Sequence, residues 1–203
     1  MTRAPGDAQP PEKSFSLDHF TNLYLAKDDP WDNATKWSDQ RKYAVTLASL
    51  PRERYRNAYE PGCAVGILTR MLAPRCDALL AADAVGAAVH QARTFVADVP
   101  HVRVEEALLP ADLPDDTYDL IVVGDLLYYL SADDLAATIK GLVDRLEPGG
   151  DLVSVHFRDR EEGGNFDGFN AHEALKDHPS LTPVVHHEDD WFLLDVLTRR
   201  RGR

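Results

Sequence analysis

The run Tyr118-Asp119-Leu120-Ile121-Val122-Val123, closed by Gly124-Asp125, sets the narrowest limit on what this chain can become. A stretch so short and so apolar reads as a strand buried on both faces. Strands of that kind belong to parallel sheets covered by helices on each side. The segments around it keep the alternation that such a sheet needs. Residues 58–60 read as a strand, followed by a glycine loop and a helix through Met71 and Leu72. Residues 78–83 then read as a strand, 86–96 as a helix and 102–105 as a strand. After the apolar strand, Ser131 caps a helix with Asp134 in its first turn, and that helix runs to Leu146. Glu147-Pro148-Gly149-Gly150 reads as a hard turn into a strand over 152–157. A loop bearing Gly163, Gly164 and Gly168 precedes a short helix near 171–176. Two strand-like runs, 181–187 and 191–197, lie close enough together to pair as an antiparallel hairpin.

Strand–helix alternation with a terminal hairpin predicts an α/β fold: a doubly wound, seven-stranded, mostly parallel sheet with an antiparallel C-terminal pair. Residues 1–14 are rich in proline and charge and are expected to form a disordered tail. Residues 15–203 are expected to form a single domain, with 15–51 as a helical arm or lid. Within that arm Trp37, Arg41, Ala44, Val45 and Ala48 recur at helical spacing until Pro51 stops the pattern. A chain of 203 residues supports one core. Its net charge of -12 argues against a nucleic-acid partner; it suits a cationic substrate, or serves solubility alone. The two cysteines form no CxxC pair, so neither a disulfide scaffold nor a thiolate metal site is expected. No apolar leader and no run near the roughly 20 residues of a membrane span are present, which predicts a cytoplasmic protein with no membrane partner.

Open α/β sheets bind ligands beyond the carboxyl ends of their strands, which draws attention to Glu60, Asp83, Glu106, Asp125 and His156. The segment Tyr59-Glu60-Pro61-Gly62-Cys63-Ala64-Val65-Gly66 is not a dinucleotide fingerprint, because its glycines stand four apart. An acid ending the first strand can hold a cationic amino group, while Gly62 lets backbone approach a ligand. Asp83 can accept the two hydroxyls of a ribose, or merely cap the next helix. His156 follows an apolar strand and is a candidate base, Asp125 and Tyr129 are further catalytic candidates, and Tyr128 and Tyr129 are placed to contact an acceptor. The pair His186-His187 cannot readily chelate one ion, since neighbouring strand residues face opposite ways, so no metal is expected and the region reads as a turn with solvated charge.

The ordered set E-x-G-x-x-x-G, Asp83, an acid after the third strand, YDLIVVGD and LEPGG resembles the class I S-adenosylmethionine-dependent methyltransferases. A closer resemblance covers Asp29-Pro30-Trp31, Thr35-Lys36-Trp37, Arg41-Lys42-Tyr43, Thr46-Leu47-Ala48, Leu50-Pro51, Arg54-Tyr55-Arg56, Glu60-Pro61-Gly62-Cys63, Tyr128-Tyr129-Leu130 and His156-Phe157-Arg158. There the chain is similar to the NodS-like nodulation methyltransferases. Lys36 stands where serine is more usual, Ser38 where tyrosine is, and Phe157 where tryptophan is.

The resemblance implies a Rossmann-like class I fold and S-adenosyl-L-methionine as cofactor, with S-adenosyl-L-homocysteine as product. It implies a cofactor site of Trp37, Arg41, Glu60, Gly62, Cys63, Gly66, Asp83, Ala84, Glu106, Ala107, Leu108, Asp125 and Leu126. In that reading Arg41 answers the methionine carboxylate and Glu60 its amine. The acceptor is expected to be a small cationic molecule, an amino sugar or an aminoglycoside-type natural product as in antibiotic biosynthesis, methylated on nitrogen by a monomer or homodimer. Tyr128, Tyr129, Arg158, Glu161 and Glu162 are its expected contacts. An O-methyltransferase of a neutral natural product and a non-catalytic cofactor-binding regulator are the alternatives.

Overall fold

The computed structural model describes residues 11–158 and 168–202. Seven strands form one sheet in the order β3-β2-β1-β4-β5-β7-β6. They are β1 (Tyr55–Pro61), β2 (Cys76–Asp83), β3 (Val102–Glu106), β4 (Tyr118–Gly124), β5 (Leu146–Phe157), β6 (Leu181–Glu188) and β7 (Phe192–Arg199). All neighbours pair in parallel except β5 with β7 and β7 with β6, which are antiparallel. Chain order reverses between β1 and β4, so the crevice of the sheet opens at the carboxyl ends of those two strands.

Among the described residues six α-helices cover the sheet: α1 (Leu17–Ala26), α2 (Trp37–Ala48), α3 (Ile67–Leu72), α4 (Gly86–Phe95), α5 (Ala132–Arg145) and α6 (Phe169–Lys176). Alternate residues of β4 divide between the two layers. Ile121 and Val123 pack with Leu135, Ile139 and Leu142 of α5 and Leu175 of α6. Leu120 and Val122 pack with Leu68 and Leu72 of α3 and Tyr43 of α2. Ser131 caps α5 as expected, accepting a bond from the Asp134 N–H at 3.3 Å.

Two sequence expectations are corrected. Glu147-Pro148-Gly149-Gly150 is not a turn ahead of β5 but lies inside it. Tyr118 pairs with Leu146 and Leu120 with Asp151, so the extra β5 residues bulge out, with Gly149 at φ +82°. The inward stripe of α2 is also displaced by about one residue from the apolar pattern. Its buried residues are Ser38, Asp39, Lys42, Tyr43 and Thr46. This stripe is largely polar, so hydropathy points to the wrong face. Trp37 is 68% exposed, whereas Lys42 is 1% exposed.

The N-terminal arm is stitched to the segment after β4. Phe15 N–H donates to the Tyr129 carbonyl at 2.9 Å. Ser14 Oγ accepts from Ser131 N–H at 2.8 Å and donates to Asp134. Ser14, the last residue of the expected tail, thus takes part in this contact. No helix of the described residues is long and apolar enough to cross a membrane.

Candidate active site

A cavity of about 1170 Å³ opens at the sheet's reversal point. It is larger than most single-ligand pockets and has room for two ligands side by side. Its floor is the end of β1 with the loop Gly62-Cys63-Ala64, the end of β2 with Ala84, and Ala107 and Leu108 after β3. Gly124, Asp125, Leu126, Tyr128 and Tyr129 form a second wall, and Phe157 and Arg158 a third. Phe20, Leu23 and Tyr24 of α1, Trp31, and Asp39, Lys42 and Tyr43 of α2 close it from above.

The β1 loop is built for close approach. Gly62 has φ +75°, and a Cβ there would stand 3.3 Å from the Leu126 side chain. The Gly62 and Cys63 N–H groups both donate to the Ala82 carbonyl, at 2.7 and 2.9 Å. That ties the loop to β2 and turns its edge toward the cavity. Gly66, also left-handed, does a different job. A Cβ there would meet Ala92 atoms at 3.1 and 3.2 Å, so this glycine lets α3 and α4 pack closely and does not line the cavity.

Two acids, Glu60 buried and Asp83 half-buried, give one half of the cavity its chemistry. Glu60 is 2% exposed, and its Oε2 has no hydrogen-bond partner among the described residues. Burial pushes its carboxyl up to about 8, with the Thr69 hydroxyl pulling down and the Asp83 charge adding to the rise. A buried, unpartnered carboxylate oxygen is costly, and a cationic group is the partner that relieves it. Asp83 accepts from Ala64 N–H at 2.9 Å through Oδ2 and from Val85 N–H at 3.0 Å through Oδ1. Each oxygen keeps a lone pair for a ligand hydroxyl. The Tyr24 hydroxyl, buried above Asp83, likewise has no partner among the described residues.

The other half centres on Asp125, held in the left-handed region at φ +47°. Its Oδ1 accepts from Phe157 N–H at 2.6 Å and from the Tyr128 hydroxyl at 3.2 Å. Its Oδ2 meets the Lys42 ammonium, which also pairs with Asp39 at 2.8 Å. Burial pulls the Lys42 ammonium down, but Asp125 and Asp39 outweigh it and leave its pKa raised. Tyr129 lies under Phe15 and Phe20, with ring centroids 5.4 and 5.0 Å away.

Of the residues expected from sequence, Glu60, Gly62, Cys63, Asp83, Ala84, Ala107, Leu108, Asp125, Leu126, Tyr128, Tyr129 and Arg158 line this cavity. Glu161 and Glu162 lie outside the described residues. Five others are corrected: Gly66, as described above, and four more. Trp37 is exposed, and Arg41, partly buried against Phe192 outside the cavity, pairs with Asp189 in the β6–β7 turn at 2.6 Å. Glu106 is exposed and leans over the α4 N-terminus, where a Cβ at Gly86 would stand 3.1 Å from its Oε2. His156, expected as the base, is fully buried behind the wall and not on it. Its Nε2 accepts from Leu127 N–H at 3.1 Å, which occupies the lone pair a base would need. Burial first, then His172 and Lys42, hold its pKa well below the usual histidine value.

The pair His186-His187 is more than solvated charge. His186 Nδ1 lies 2.8 Å from Asp195, and His187 Nε2 lies 3.0 Å from Asp189. Sequence reasoning passed over Lys42 and Asp39, though two opposite charges three apart on one helix were a usable signal.

The family described as Nodulation protein S (NodS) matches residues 18–165 of this chain. Nodulation protein S of Rhizobium tropici is 34% identical over 140 residues, 68% of this chain and 59% of that protein. The match to the curated relatives thus spans about six tenths of their length. The crystal structure of N-methyltransferase NodS from Bradyrhizobium japonicum WM9 in complex with S-adenosyl-L-homocysteine superposes with a TM-score of 0.79. It is 28% identical and covers 89% of this chain and 97% of that one. A putative methyltransferase from Pseudomonas syringae gives a TM-score of 0.72 at 42% identity, over 81% of this chain and 100% of that one.

Proposed function

The chain belongs to the NodS family, and from that premise we propose that it is an S-adenosylmethionine-dependent N-methyltransferase acting on the amine of a small amino-sugar acceptor. The observation that carries the cofactor half is the unpartnered, buried Oε2 of Glu60 beside the Gly62 loop. A zwitterionic amino-acid end joined to a nucleoside fits these residues: its ammonium answers Glu60, its ribose hydroxyls answer Asp83, and its approach needs the bare edge of Gly62. Arg41 does not line the cavity, so the carboxylate end falls to a cation that does: Lys36, Lys42 or Arg158. When bound, S-adenosylmethionine supplies an electrophilic methyl on a sulfonium.

The chain's own part is alignment and exclusion of water from the reacting atoms. The α1 arm, through Phe20, Leu23 and Tyr24, roofs the reaction space. Asp125 presents a fixed carboxylate at the junction of the two halves; it holds an N–H of the acceptor so that the nitrogen lone pair faces the methyl. The amine reacts in its neutral form, and the ammonium that results loses its proton to water at the open mouth. Tyr128, Phe157 and Trp191 offer flat apolar faces to a pyranose, while Asp39, Asp125 and Asp190 favour a cationic acceptor.

The similar Bradyrhizobium japonicum protein is an N-methyltransferase, which supports transfer to nitrogen. The experiment is methyl transfer from labelled S-adenosylmethionine to glucosamine, its short β-linked oligomers, an aminoglycoside and their deaminated counterparts. Product from the amines and none from the alcohols is the expected result. Methylation of the alcohols instead overturns the nitrogen assignment.

A further inference from the structure

A chain of buried polar groups runs behind the acceptor wall and ends on the backbone of the segment that carries Asp125, Tyr128 and Tyr129. Its inner end is fixed in sense by a group that can only donate: Leu127 N–H points at His156 Nε2, 3.1 Å away. That nitrogen must be bare. His156 is fully buried and its pKa is depressed, so the ring is neutral and its proton sits on Nδ1. His156 Nδ1 faces His172 Nε2 at 3.0 Å. Two protons cannot share that gap, so His172 Nε2 is bare as well and its proton sits on Nδ1. His172 Nδ1 in turn donates to Asp195 Oδ2 at 2.6 Å. Ser154 Oγ lies within 3.2 and 3.3 Å of the two facing nitrogens. The outer oxygen of Asp195 meets His186, which is half exposed.

We infer that Asp195 and His172 are positioning residues that lock the His156 tautomer and thereby hold the Asp125–Tyr129 segment in its working shape. If His172 moved its proton to Nε2, His156 would have to move its own to Nε2, and two donors would face each other at Leu127. The segment is tied at its two ends, Asp125 to Phe157 and Lys42 and the Tyr129 carbonyl to Phe15, whereas the Leu127 N–H between them donates to His156. Asp125 sits in the left-handed region, which costs a non-glycine residue energy. The Tyr128 ring packs edge-on against His156, with centroids 5.2 Å apart. His156 also touches the other side of the acceptor wall: a Cβ at Gly168, where α6 begins, would fall 2.5 Å from its Cβ. One ring therefore sets the spacing of β5, the Asp125–Tyr129 segment and the start of α6. A small displacement there is enough to spoil alignment for transfer.

The part of this inference that concerns acceptor kinetics rests on the methyltransferase reading; the part that concerns the tautomer and Leu127 does not. The test uses the full chain and four proteins: wild type, Asp195→Ala, Asp195→Asn and His186→Ala. Nitrogen-15 histidine spectra of wild type should show His156 and His172 both protonated at Nδ1 and bare at Nε2. The Leu127 amide should exchange slowly in wild type and markedly faster in Asp195→Ala. Asp195→Asn keeps one oxygen for the His172 Nδ1–H and should restore both signatures, and His186→Ala should leave both unchanged. Acceptor kcat/KM should fall on the order of tenfold or more in Asp195→Ala alone, with an unchanged Kd for S-adenosylhomocysteine. A proton on His156 Nε2 in wild type overturns the inference, and so does slow Leu127 exchange in Asp195→Ala. Should Asp195→Ala fail to fold, the wild-type spectra and the Asp195→Asn exchange rates decide. A wild type that shows the expected tautomers but transfers no methyl group to any amine refutes the proposed function and not the lock.

Discussion

The Lys42 ammonium sits between Asp39 and Asp125, buried, so that one helix residue neutralises an acid of its own turn and an acid from the end of β4. This triad joins the roof of the cavity to the wall on which the acceptor is expected to lie. Its net charge is one negative, and the third member, Asp125, is the one that remains partly open to the cavity.

Replacing Lys42 by methionine leaves two carboxylates facing each other with no counter-charge. Truncating one partner of a buried ion pair costs about 3–5 kcal/mol, and that is the loss expected in denaturant unfolding. Adding Asp39→Asn to Lys42→Met removes one of the stranded acids and should recover part of it. Equal stability of Lys42→Met and wild type would show that the triad is open to water.

Glu60 links the cavity to pH. Its carboxyl is raised to about 8, so the folded, ligand-free chain holds this proton more tightly than the unfolded chain does. The stability this confers is fully present below the ordinary carboxylate range and is lost as pH rises through about 8. The melting temperature of the free protein should therefore decline across that window, and Glu60→Gln should flatten the decline. A bound ammonium draws the Glu60 pKa back down, so S-adenosylhomocysteine binding near neutral pH should expel protons. Calorimetry in buffers of different ionisation enthalpy measures that release, and Glu60→Gln should abolish it.

Gly62→Ala and Gly66→Ala separate ligand approach from packing. Both positions have positive φ, and the left-handed region costs an alanine about 1–2 kcal/mol, so both variants lose stability. Gly66→Ala also pushes on Ala92 and should melt lower, yet bind the cofactor as wild type does once folded. Gly62→Ala should lose cofactor affinity beyond its loss of stability. Titration of both variants at low temperature makes the comparison.

Asp83→Ala removes an acceptor from the Ala64 and Val85 amides and from the expected ribose hydroxyls. A charged hydrogen bond of this kind contributes about 1.5–3 kcal/mol, so the cofactor Kd should rise by roughly tenfold to a hundredfold. Unchanged affinity in a folded Asp83→Ala variant would remove Asp83 from the site.

Arg41→Ala tests the reassignment of the carboxylate partner. Arg41 pairs with Asp189 with both side chains partly exposed, a setting in which ion pairs contribute about 0–1 kcal/mol. Stability and cofactor affinity should both stay near wild type. A large loss of S-adenosylhomocysteine binding would return the carboxylate to Arg41.

The sheet was legible in the sequence because its signals are local. A strand buried on both faces must be apolar throughout, as 120–123 are, and a β1 loop that needs φ +75° calls for glycine at 62. An acid closing each of β1 and β2 sits where the fold puts ligands, and Glu60 and Asp83 both reach the cavity. What tertiary structure alone decided is the environment of each polar side chain. Hydropathy assumes that charge faces water, yet the inward stripe of α2 carries Asp39 and Lys42 because Asp125, more than eighty residues away in the chain, completes their neutralisation. The fate of His156 was settled in the same way. Its position at the end of β5 is written in the chain, but a strand residue has two faces, and the partners on the buried face come from 127, 172 and 195. Once those partners occupy both ring nitrogens, no proton-transfer capacity is left to offer a substrate, and the residue that composition marks as a base becomes part of the scaffold.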